Sequence, residues 1–199
     1  MHIVCLDLEG VLVPEIWISF AEHTGIEELR LTTRDISDYD KLMKRRLAIL
    51  EQNGLTLTDI QRVIGSMEPL EGAHEFLETL RSKTQVIILS DTFTQFATPL
   101  MKKLGWPTLF CNSLEVDSKG RIHDYTLRQK DGKKNAVHAL QSLNFSIIAA
   151  GDSYNDITML QSAEHGVLFR PPESVTEKYP QFPVTQTHQE LLTEVEKQL

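Results

Sequence analysis

A chain of 199 residues with a formal net charge of −8 has room for one substantial domain and a small accessory one, and its acidity argues against a generic nucleic-acid surface, which needs clustered Lys and Arg. Cys5 and Cys111 form no CxxC pair and the seven histidines lack zinc-ligand spacing, so neither a disulfide framework nor a structural zinc site is expected, and both thiols read as reduced core residues. No run reaches the ~20 apolar residues of a membrane span and no charged leader precedes a long apolar stretch, so neither nucleic acid nor membrane is an expected partner and the expected compartment is the cytoplasm.

The first predicted element is a strand over residues 2–7, a short apolar run that ends in Asp7-Leu8-Glu9-Gly10-Val11. This is the pattern of a buried strand delivering acids to its C-terminal end. From Pro14 to Pro69 the rhythm becomes helical throughout, which predicts a helical cap, residues 14–69, inserted into an α/β core made of residues 1–13 and 70–199. One cap helix carries Tyr39, Leu42, Met43, Leu47 and Leu50 on a single stripe. A second is predicted to start near Thr58, capped by Thr58-Asp59-Ile60-Gln61 and continuing through Val63, Ile64 and Met67.

Beyond the insert, helical patterns over 73–81, 93–104, 134–143 and 155–163 alternate with apolar runs at 85–89, 108–111, 146–150 and 166–169. Alternation of this kind predicts a Rossmann-like, mostly parallel sheet with helices on both faces and ligands beyond the carboxyl ends of the strands. Residues 114–127, around Ser118-Lys119-Gly120, read as a polar hairpin, and a Pro-rich stretch precedes a terminal amphipathic helix near 191–195. An exposed hairpin and apolar cap surfaces would be compatible with a homodimer.

Three strand ends carry an acid: Asp7, Asp91 after Ser90, and Asp152 after Gly151. Side chains two apart on extended backbone share a side, so Asp7 and Glu9 can face one pocket. Asp152 and Asp156, four apart at a helix start, would share a face if helical geometry begins early. Converging carboxylates need a cation, and a hard divalent ion with oxygen ligands fits, Mg2+ being usual beside phosphate. Taken singly these acids are ordinary turn and cap residues, and Ser90 an ordinary helix cap; their order and context point to a site.

With Asp-x-acid-Gly-Val after the first strand, Ser-Asp-Thr after the second, a lysine ahead of the fourth and Gly-Asp-Ser-Tyr-Asn-Asp after it, the chain resembles the haloacid dehalogenase superfamily of phosphatases. The resemblance implies a first strand flanked by the second and fourth. It also implies Asp7 as nucleophile and Glu9 as general acid/base, with Mg2+ held by Asp7, Asp152 and the main-chain carbonyl of Glu9 and supported by Asp156. Lys130, Lys133 and Lys134 are candidates for the lysine; the resemblance favours Lys133. Ser90 and the backbone at Asp91 and Thr92 would meet the phosphate.

Arg46 falls within the apolar stripe of the cap helix, where a guanidinium needs an anion; its stem could pack while its head reaches solvent, or it could bind a substrate carboxylate through its planar fork. Glu15, after Pro14, sits where acids favour a helix dipole, yet it must also hang near the pocket mouth. An acid for an ammonium, an arginine for a carboxylate and an aspartyl nucleophile for phosphate describe a phosphorylated amino acid. The chain accordingly is similar to the phosphoserine phosphatases of the superfamily, which implies Glu15, Arg46, Ser90, Asp91, Lys133 and Asn155 as substrate contacts. The stretches Cys5 to Trp17, Ile88 to Phe93 and Ala149 to Asp156 resemble a bacterial variety that also passes phosphoryl to homoserine. Glu9 departs from the Asp usual at that place; its extra methylene would leave acceptor space for an alcohol as well as water. A phosphatase for another small phosphate ester, or a non-catalytic phosphometabolite-binding module, is the competing expectation.

Overall fold

The apolar runs assemble into one seven-stranded sheet of order β4-β3-β2-β1-β5-β6-β7 in a computed structural model that describes residues 1–33, 35, 36 and 38–199. The strands are β1 (His2–Leu6), β2 (Gln85–Phe93), β3 (Thr108–Val116), β4 (Ile122–Thr126), β5 (Ser146–Gly151), β6 (His165–Phe169) and β7 (Val184–Thr185). Every pairing is parallel except β3 with β4.

Period-two alternation explains why β1 and β5 are apolar past their first residues: Val4, Leu6, Ile148 and Ala150 enter one hydrophobic cluster, while Ile3, Cys5, Ile147 and Ala149 enter another on the opposite face. The inserted helices are α1 (Ile16–Thr24), α2 (Tyr39–Gln52) and α3 (Leu57–Ser66). Residues of all three join the first cluster, and so do Phe76, Leu77 and Leu80 of α4 (Ala73–Arg81), Phe96, Ala97 and Leu100 of α5 (Thr94–Lys103), and Leu191 of the terminal helix. The second face is covered by α6 (Gly132–Ser142), α7 (Ile157–Ser162) and α8 (Glu173–Lys178), and the chain ends in α9 (His188–Glu196). Among the described residues no helix is long and apolar enough to cross a membrane. Both cysteines are free thiols, and burial pushes that of Cys5 up to about 12.

Several details differ from the sequence reading. The α3 capping box is Thr56 with Asp59, two residues earlier than Thr58 with Gln61. Gln61 instead donates from Nε2 to the carbonyl of Gln95 at 2.8 Å. That carbonyl is left without its helical donor by Pro99, four residues on in α5, so the side chain repairs a defect the proline creates. The 114–127 hairpin is the continuation of β3 turned back as β4. Its inner side is covered: Tyr125 stacks edge-on with Tyr39 at 5.8 Å and donates to Asp40 of α2 at 2.9 Å, and the Leu57 amide donates to Gly120 at 2.9 Å.

Candidate active site

At the end of β1 the Asp7 amide still donates to the Ala150 carbonyl at 2.9 Å, after which Leu12 and Val13 both donate back to Leu8 and close a tight turn. Gly10 makes that turn possible. Its φ is +81°, and a Cβ there would lie 2.5 Å from Asp152 Cγ, so the left-handed backbone and the close approach of the second acidic loop both require glycine. Asp7 is buried, and its Oδ1 accepts from the Leu8 amide at 2.7 Å and lies 2.8 Å from Lys133 Nζ.

Asp156 is fully buried beneath the Gly151 turn, where a Cβ would come 2.4 Å from its Cγ. Oδ2 of Asp156 accepts the amides of Asp152 at 3.0 Å and Ser153 at 3.1 Å, and Oδ1 accepts from Lys133 at 2.7 Å. The two acids of this loop therefore face the same place through a Ser153 capping box and a 3-10 turn over Tyr154–Asp156, not through an α-helical i, i+4 pair. Lys133 sits in the first turn of α6 and is the buried lysine of the three candidates; Lys130 and Lys134 are exposed. Burial opposes its charge, but Asp156 and Asp7 overcome that and hold its pKa well above the ordinary lysine value. Burial and the neighbouring Asp156 push the Asp7 carboxyl well up, against the pull of Lys133.

Carboxylate oxygens of Asp7, Asp152 and Asp156 lie within 4.8 Å of one another. The one ammonium pairs with Asp7 and Asp156, and with Asp91 at 3.8 Å, so with Asp152 added the cluster carries an excess of negative charge; burial, Asp156 and Glu15 push Asp152 up to about 7. A hard, all-oxygen donor set without His or Cys fits Mg2+ and not zinc. The carboxylate of Glu9 is not part of this cluster. Its Oε2 accepts the Ile16 amide at 2.9 Å, capping the first turn of α1, and burial with Glu15 raises its pKa to about 7. Replacing Asp152 by Asn is expected to raise the melting temperature of the metal-free protein, because it removes one of the crowded charges. The same substitution should abolish stabilisation by added Mg2+, both readable in thermal melts with and without the ion.

Above the cluster a cavity of about 120 Å³ is lined by Asp7, Glu9, Glu15, Arg46, Ser90, Asp91, Lys133, Asp152 and Asn155, and also by Trp17, Thr32, Thr33, Tyr39, Leu42, Thr92, Phe93 and Ser153. Asp156 lies below its floor. Arg46 is on the buried face of α2; its guanidinium stacks on Trp17 at 4.5 Å and donates from Nη2 to the Leu31 carbonyl at 2.8 Å, while Nε is buried with no hydrogen-bond partner. Burial pulls its pKa down to about 10 against the opposing pull of Glu9. Glu15 is the N-cap residue of α1, one position before the helix. Ser90 Oγ accepts from the Thr92 amide at 3.2 Å, Asn155 donates to Asp91 Oδ2 at 3.2 Å, and the Asp91 carbonyl accepts from Tyr39 at 3.1 Å and Asn112 at 3.0 Å. Sequence reasoning placed Tyr39 only on an apolar stripe and missed Trp17 as the platform under Arg46; an aromatic so close to the first acidic motif was the available signal.

The family model of the haloacid dehalogenase-like hydrolases matches residues 1–164 of the chain. The chain is a haloacid dehalogenase-like hydrolase. This hydrolase is 59% identical over 194 residues to the phosphoserine phosphatase ThrH of Pseudomonas aeruginosa, covering 98% of the chain and 95% of that relative. It is equally 59% identical to a phosphoserine phosphatase of Pseudomonas syringae, covering 82% of it. Its fold matches a crystal structure of a phosphoserine phosphatase in apo form with a TM-score of 0.79 at 21% identity, over 96% of the hydrolase and 98% of that chain.

Proposed function

We propose that this hydrolase is a Mg2+-dependent phosphoserine phosphatase that works through a phosphorylated Asp7 and also passes phosphoryl to homoserine. The observation that carries this reading is the lining of the cavity. Asp7, Ser90 and Lys133, suited to a phosphoryl group, share it with Glu15 and Arg46, suited to an ammonium and a carboxylate, and its two named relatives of 59% identity are phosphoserine phosphatases. In this reading residues 14–69 act as the cap over a core of residues 1–13 and 70–199.

The Asp7 carboxylate attacks phosphorus as the bond to the serine oxygen breaks, and Glu9, entering protonated, gives its proton to that departing oxygen. Water or the homoserine hydroxyl then attacks the same phosphorus, returns a proton to Glu9 and releases Asp7. Lys133 and Ser90 hold the phosphoryl oxygens, and Asn155 orients the loop beside Asp91. Asp7, Asp152 and the Glu9 carbonyl would hold Mg2+ with Asp156 in support; when bound, the ion offsets the repulsion between Asp7 and an anionic phosphate.

Purified protein with Mg2+ and O-phosphoserine is expected to release phosphate, and to form phosphohomoserine when homoserine is added; no product in either assay overturns the substrate assignment. Arg46→Ala should raise KM for phosphoserine by roughly 10- to 100-fold through loss of charge-assisted hydrogen bonds, with a smaller change in kcat. Arg46→Lys should not restore it, because an ammonium lacks the planar fork.

A further inference from the structure

His188, the first residue of α9, is buried, and its partners are 117 and 177 residues away in sequence. Nδ1 lies 2.9 Å from the Glu71 carbonyl oxygen and Nε2 lies 2.8 Å from that of Val11. Carbonyl oxygens only accept. A neutral imidazole has a single N–H and would set its other nitrogen's lone pair against a carbonyl, whereas the imidazolium donates from both nitrogens. The ring also lies between Phe169, at 4.7 Å, and Phe76, at 5.3 Å, and aromatic faces favour a cation. The charged or titratable side chains on the elements packed around it are Glu71 just before α4, His74, Glu75, Glu78 and Arg81 on α4, His165 on β6 and Arg170 after it, Glu190, Glu194 and Glu196 on α9 itself, and Glu9 ahead of Val11. All but Glu9, His165 and Glu194 are exposed, and His165 and Glu194 face each other at 3.4 Å. Arg170 is committed to the Gln186 carbonyl and the Phe169 ring, and Glu9 to the amide of Ile16.

The two carbonyls lie at the two crossings between the helical insert and the α/β body. Val11 is in the turn that follows Asp7 and Glu9, Glu71 is where the chain returns, and the Leu70 amide donates to Leu12 at 2.9 Å to tie the crossings together. We propose that His188 is a positioning residue, held as an imidazolium whose two N–H groups pin both crossings to α9 and so fix the Glu9 to Val13 turn and the insert above Asp7.

In the full-length protein labelled with 15N at histidine, both ring nitrogens of His188 are expected to resonate as protonated near neutral pH; one bare nitrogen overturns the proposal. His188→Phe, which fills the space without donors, should speed hydrogen exchange at the Leu70 amide about tenfold and raise KM for O-phosphoserine about tenfold with kcat nearly unchanged. His188→Gln, with an amide donor, should recover part of both. Should His188→Phe fail to fold, His188→Gln and the ring nitrogens of the unaltered protein decide the matter. Folded variants with unaltered Leu70 exchange and unaltered KM overturn it. The kinetic arm rests on the phosphatase reading, but the nitrogen resonances and hydrogen exchange do not, so an inactive enzyme would count against that reading and leave these two arms to judge His188.

Discussion

Asp7→Asn is expected to abolish turnover while the protein stays folded. The amide keeps the shape and still offers an oxygen to the Leu8 amide and to Lys133, which reach Asp7 Oδ1 at 2.7 and 2.8 Å. It also removes one charge from the crowded cluster with Asp152 and Asp156, so stability should be equal or higher. What it loses, in the proposed mechanism, is the nucleophile. A neutral amide cannot form the acyl phosphate that divides one hard transfer into two easier ones, and phosphate release should fall by at least about four orders of magnitude. Rapid acid quench with 32P-labelled phosphoserine should trap label on the unaltered protein and none on the variant. Retained turnover in Asp7→Asn would sink the mechanism.

Lys133→Met should be costly twice over. The ammonium is buried between Asp7 and Asp156, at 2.8 and 2.7 Å, and Met fills similar volume without a charge. Breaking a buried pair from one side leaves its partners uncompensated, which costs about 3–5 kcal/mol; for a domain of this size the melting temperature should fall by roughly 10 °C. Turnover should fall as well, since no cation then faces the phosphoryl group from α6. Lys134→Met is the control, because Lys134 is exposed and its loss should change neither quantity. A Lys133→Met protein that melts with the unaltered one would show that this ammonium does not balance the buried acids.

The strands at His2–Leu6 and Ser146–Gly151 were legible because burial on both faces leaves no polar position after the first residue, and because each run stops at an acid. Lys133 was harder: three lysines within five residues look alike in sequence, and only the start of α6 shows which one is turned inward, beneath Asp7. Arg46 was visible as a charge out of place on an apolar stripe, but its stacking on Trp17 of another helix was not. The α3 cap was misplaced because Thr56-x-x-Asp59 and Thr58-x-x-Gln61 obey the same local rule; the choice between them depends on Gln95, whose carbonyl draws Gln61 away.

The sequence by itself determined the alternation of strands and helices, the strand-free helical stretch that interrupts it, and the acids that follow β1 and β5, because these depend on periodicity and on residues a few positions apart; Asp91, expected after its strand, lies within β2. The tertiary structure alone decided that the carboxylate of Glu9 caps α1 while Asp7 and Asp156 close on Lys133 beside Asp152, that the β3–β4 hairpin is covered by α2, and that His188 grips two segments more than a hundred residues away. Those contacts join parts of the chain that no local pattern links, and only burial and the pairing of donors with acceptors select them.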